Sequence, residues 1–111
     1  MNNFYDLLQK IKKRPSMYLG RYSIFSFLAF WCGYKIAQHQ LGIHPTAQEQ
    51  EFEEFLKWIR ERYEVHTSQS WASIILFYSE DERTALDRFF ELFEEFLNQQ
   101  NNSEINPDKE W

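Results

Sequence analysis

Three histidines, one cysteine and a Ser-Trp-Ala-Ser run are the side chains from which catalysis or metal binding would have to be built in this 111-residue chain. His39, His44 and His66 supply imidazoles for proton transfer or ligation, but none forms a His-x-x-x-His or His-Glu-x-x-His pair. A helical metal site needs such spacing to bring two nitrogens to one face, so no metal is expected. Cys32 lies in an apolar run and is expected to be a buried, inert thiol. Seven residues of helix would separate it from His39 by about two turns, roughly 10 Å, too far for a thiolate–imidazolium pair. Ser70 and Ser73 flank Trp71 without the glycines of a nucleophile elbow. Adjacent acids such as Glu53 and Glu54, or Glu94 and Glu95, are expected to be solvated surface. No catalytic residue and no cofactor are expected, and the chain reads as a non-enzyme.

The elements that would carry these residues are helical. Aromatics make up 19% of the chain, more than disorder tolerates, and three Gly with three Pro leave little turn chemistry for a β fold. Phe4, Leu7, Leu8 and Ile11 repeat at the spacing of one helix face, with Asn3 as cap and Pro15 as stop. A second helix starts at Ser23. Its stripes Ile24–Phe27–Leu28–Trp31 and Phe25–Ala29–Cys32–Ile36 make it apolar on most of its circumference, so it is expected to be the most buried. Gly33 there is expected to admit a close neighbour, and Gly42 to end the helix. Thr46 and Glu49 have capping-box spacing ahead of Phe52, Phe55, Leu56, Ile59 and Tyr63. On the opposite face lie Glu53, Glu54, Lys57, Arg60 and Glu61, with Glu53 expected to pair with Lys57. "WASIILFYS" has the β-branched content of a strand, but a lone strand lacks a partner, which favours a short buried helix capped by Ser70. Leu86, Phe89, Phe90, Phe93 and Leu97 define the closing helix, with Glu80, Asp81 and Glu82 at its positive end. The expected fold is all-α: one compact domain of about five helices over residues 1–100, then a flexible tail, 101–111, on which Trp111 could dock.

Between the first two helices stands "KKRPSMYLG". It is similar to the "RKRPGMYIG" run of the ATPase domain of gyrase-type topoisomerases. That family also needs an acid and an asparagine on one helix upstream of an Asp-x-Gly-x-Gly loop; here Asn98, Asn101 and Asn102 lie in the wrong context, and no two of the three glycines are close enough to make the loop. The stretch is therefore a structural corner: Pro15 stops a helix, Met17, Tyr18 and Leu19 feed the core, and Gly20 takes positive φ. Lys10, Lys12, Lys13 and Arg14 sit at the negative end of the helix dipole. On a wider span, the order "RPSMYLG", "SIFSFLAFWCGY", "FLKWIRERY" and "SWASIILFYS" resembles a group of small bacterial proteins, some of them similar to immunity proteins that neutralise toxins. The resemblance implies a cognate protein partner and no catalysis.

Charge points the same way. Residues 1–40 hold six Lys/Arg against one acid, whereas 41–111 hold six against sixteen. An acidic majority disfavours nucleic acid and suits a basic protein. The expected contact set is Glu53, Glu54, Trp58, Glu61, Asp87, Glu91, Glu94 and Glu95, with Trp58 as an aromatic anchor among carboxylates. Its partner would be a basic toxin, such as a nuclease, whose cleft the acids would occlude. Two other readings stay open: a small-ligand pocket lined by Tyr18, Trp31, Tyr34 and Trp71, and a homodimer. No run is long and apolar enough to span a bilayer and the N-terminus is polar, so a cytoplasmic location is expected.

Overall fold

Each helix start is fixed by a side chain that answers the unpaired N–H groups of its first turn. Asn3 and Asp6 form a capping box ahead of α1 (Phe4–Lys13), and Thr46 and Glu49 another ahead of α4 (Ala47–Arg62). Ser23 caps α3 (Ile24–Gln40) and Ser70 caps α5 (Trp71–Phe77). Asp81 accepts from the Thr84 N–H at 2.8 Å as α6 (Glu82–Ile105) begins. The computed structural model describes residues 3–105. Among them there is no strand, so the stretch at 71–77 is the helix that Ser70 favours. The Pro15 corner is a further one-turn helix, α2 (Pro15–Leu19), with proline at its first position and Gly20 at φ 82° closing it. The described residues thus form six helices, an all-α bundle in keeping with the expected count of about five. The last continues to Ile105, through the first residues assigned to a tail; Trp111 lies outside the described residues.

The core is aromatic and centred on α6 rather than α3. Ala85, Leu86, Phe89, Phe90, Leu92, Phe93 and Phe96 are all buried, and eight of the eleven phenylalanines in the chain lie in the core. Phe52 of α4 joins the layers: its ring lies 5.3 Å from Phe4, 4.9 Å from Trp31, 5.6 Å from Phe93 and 6.1 Å from Phe89. Tilted and edge-on aromatic pairs at these separations add stabilisation beyond the area they bury. α3 contributes only Ile24, Phe27 and Trp31 as buried residues. Its second stripe, Ala29, Cys32 and Ile36, faces water, so the thiol is exposed rather than buried. Met17 and Tyr18 are likewise exposed and do not feed the core, because the α2 turn buries Pro15 instead.

Helix ends are closed in two ways. After α3, Gly42 adopts φ 68°, its N–H donates to the His39 carbonyl, and the Ile43 N–H donates to the Gln38 carbonyl, a Schellman arrangement. α4 ends with the same two bonds, Glu64 to Glu61 and Val65 to Arg60, yet Glu64 holds φ 55° where glycine fits without strain. Glu64→Gly is expected to stabilise the protein by about 0.5–1 kcal/mol, relief of left-handed strain outweighing the added chain entropy. A thermal melt should show a midpoint raised by a few degrees, and no rise would contradict the strain. Beyond this cap the Arg60 guanidinium donates to the carbonyls of Thr67 and Gln69, tying the α4–α5 connection down.

Candidate protein-binding surface

Four of the expected contact residues come together. Asp87, Glu91, Glu94 and Glu95 fall at i, i+4, i+7 and i+8 along α6, opposite its buried face. They are less free than their number suggests. Glu91 pairs with Arg88 at 3.2 Å, Glu94 with Lys12 of α1 at 3.0 Å and Glu95 with Arg62 of α4 at 3.0 Å. Asp87 accepts from the Tyr22 hydroxyl, and this hydrogen bond raises the pKa of the phenol. The strip is therefore a row of carboxylates fringed by the chain's own cations.

On α4 the remaining candidates scatter. Glu53 turns toward α3 and pairs with Lys35 rather than Lys57, while Lys57 pairs with Glu54 at 3.7 Å. The expected i,i+4 pair gives way because α3 brings Lys35 within reach of the same carboxylate. Glu61 is exposed. Trp58 is half-buried at the seam of α4 and α6, with its ring 6.0 Å from Phe55 and 5.6 Å from Phe96. Its indole packs on the last helix and presents one side to solvent near Glu54 and Glu61, a geometry that serves packing first.

The four residues of the small-ligand reading do not line one cavity. Trp31 and Trp71 share an opening of about 300 Å³ with Lys35, Glu53 and Arg60. Tyr34 lines a different groove of about 760 Å³ between α1 and α4, with Phe4, Leu7, Lys10 and Glu49. Tyr18 stands exposed on α2, away from both. Among the described residues, no three His, Cys, Asp or Glu side chains are placed to hold a metal ion, and no helix is long and apolar enough to cross a membrane.

Sequence reasoning treated Glu49 only as a cap residue. It is one of two buried polar side chains among the described residues, 6% exposed, and its carboxylate gathers three donors. The Tyr34 hydroxyl donates to it, the Gln38 amide donates at 2.7 Å, and the Thr46 N–H donates at 2.9 Å. Burial alone would raise its pKa; these hydrogen bonds outweigh burial and hold the carboxyl below the usual range. Desolvation, with the carboxylate beside it, pushes the Tyr34 phenol up to about 12. The signal was present in the sequence as Tyr34 and Gln38 one turn apart, but nothing there placed them against a capping box. No family model, no curated protein and no solved structure matches the chain.

Proposed function

We propose that the chain is a non-catalytic protein-binding module of the immunity type. It would present the carboxylate strip of α6 to a basic partner, most simply a toxin whose active cleft normally holds phosphate. The observation that supports this reading is the alignment of Asp87, Glu91, Glu94 and Glu95 on one exposed helix face. Their present ion pairs do not oppose it. Exposed pairs of this kind contribute about 0–1 kcal/mol each, so exchanging Lys12 or Arg62 for a partner's guanidinium costs little. Opposed surface charge would act chiefly on encounter, raising the association rate at low salt.

The test is co-expression with toxin genes encoded next to this one, followed by rescue and pull-down. Reversing Asp87, Glu91, Glu94 and Glu95 to lysine together is expected to slow association by about 10–100-fold at low salt and to flatten its salt dependence. Absence of rescue by every neighbouring gene, or a complex indifferent to the reversal, would defeat the proposal. A second reading rests on the α1–α4 groove, whose 760 Å³ is within the range of small-ligand sites. There Lys10 offers a donor, and the Tyr34 hydroxyl, whose proton goes to Glu49, an acceptor, beside apolar walls. Metabolite-induced thermal shifts that scale with ligand concentration, and vanish in Tyr34→Ala, would favour it.

A further inference from the structure

Of the described residues, the most exposed phenylalanine and the most exposed tyrosine lie side by side where α5 ends. Phe77 is 77% exposed and Tyr78 61% exposed. Their rings meet edge-on at 5.0 Å, and Tyr78 stacks on Tyr63, the last residue of the α4 cap, at the same distance. Both line an opening of about 270 Å³, together with Glu64, His66 and Ile74. Metabolite sites run to roughly 300–1,000 Å³, so this one suits a single side chain. Its loop wall is set in advance, because Arg60 holds the carbonyls of Thr67 and Gln69.

The acid at the rim stands against the preference of its own backbone. Glu64 holds φ 55°, where glycine would close the α4 cap without strain. Strained residues concentrate at binding sites, where the fold around them holds a side chain in place for use. Glu64 is exposed. Among the described residues, neither its carboxylate nor that of Glu80, two positions past Tyr78, forms an ion pair.

We infer that this opening receives one arginine side chain of the basic partner that the α6 strip would meet, an inference that rests on that reading. Charge and shape select the occupant. A guanidinium lies flat on an aromatic face while its edge donates to a carboxylate, which a lysine ammonium does not. Phe77 and Tyr78 supply the rings here and Glu64 the carboxylate. The chain makes the first of these contacts within itself, with the Arg62 guanidinium 5.9 Å from the centre of the Tyr63 ring. The same Arg62 pairs with Glu95 at 3.0 Å, so the aromatic group adjoins the strip and one partner can reach both. The strip steers the partner in, and the aromatic opening anchors it. A second copy would instead bring its own Glu64 and Glu80 to the same place.

Titration of the full chain with N-acetyl-arginine amide, followed by NMR, tests the opening without any toxin. Shifts are expected at Ile74, Phe77 and Tyr78, with a dissociation constant of about a millimolar, the scale for a ligand of this size. N-acetyl-citrulline amide has the same shape without the charge and should bind at least about fivefold more weakly. Glu64→Gln and Glu64→Gly should each weaken arginine binding by about two- to fivefold, although the glycine raises the thermal midpoint. Loss of folding cannot produce that combination. Phe77→Ser, at an exposed position, should weaken binding to a similar degree and leave the melt unchanged. Shifts spread equally over Tyr18 and the α6 acids, or binding that these variants leave unaltered, would overturn the inference. So would a mass that doubles with concentration and reverts in Phe77→Ser, since a second copy would then fill the opening. Rescue by a neighbouring gene without arginine binding would remove this inference and leave the α6 reading standing; arginine binding without rescue would do the reverse.

Discussion

Phe52→Ala is expected to lower the free energy of unfolding by about 3–5 kcal/mol, the range for deleting a buried phenyl ring. The total for a domain of this size is about 5–15 kcal/mol, so one substitution would remove roughly a fifth of it or more. The position is severe because the ring is fully buried and touches rings from α1, α3 and α6 as well as its own helix. No single neighbour can move into the space without leaving another. Urea titration should show the midpoint reduced with an unchanged slope, and the thermal midpoint should fall by about 12 °C or more. A loss below about 1 kcal/mol would mean that the four helices do not meet at this side chain.

Glu49→Ala is expected to cost about 2–3 kcal/mol, combining a lost capping box with donors from Tyr34 and Gln38 left facing a void. The same carboxylate gives stability a pH dependence of predictable sign. Its folded pKa lies below the unpaired value of 4.5, so its contribution is fully present above about pH 4.5 and is lost as pH falls through the lower folded value. The Tyr34 phenol acts at the other end. Its folded pKa of about 12 exceeds the unpaired 10.0, so that contribution is present below pH 10 and is lost as pH rises through 12. Denaturant titrations across pH should therefore show losses on both flanks. Tyr34→Phe should reduce the alkaline loss, to which the raised phenols of Tyr5 and Tyr22 also contribute, and move the Glu49 titration upward by NMR; an unchanged alkaline flank with an unmoved Glu49 titration would show the two groups do not interact.

What could be read from residues alone was whatever is local. Caps at Asn3, Ser23, Thr46 and Ser70, the stop at Pro15 and the left-handed residues Gly20 and Gly42 depend on a few neighbours, and all stand where their chemistry puts them. The failures lie at the tertiary level. Apolar content marked α3 as the centre, but an apolar stripe does not say which side is covered, and Cys32 with Ile36 proved to face water. Glu53 shows the same limit, since its nearer cation by spacing lost to Lys35 across the helix pair. The acids of α6 were legible as one strip because a single helix fixes their phase. That Lys12 and Arg62 would border it depended on how α1 and α4 dock, which spacing does not encode.

Arg60 carries a consequence for motion. Its guanidinium sits on α4, yet the carbonyls it holds belong to Thr67 and Gln69, just ahead of α5. Release of the connection therefore requires release of a side chain rooted in the preceding helix. The final turn of α4 and the first of α5 should open as one cooperative unit, with amide hydrogen exchange showing shared protection across the gap.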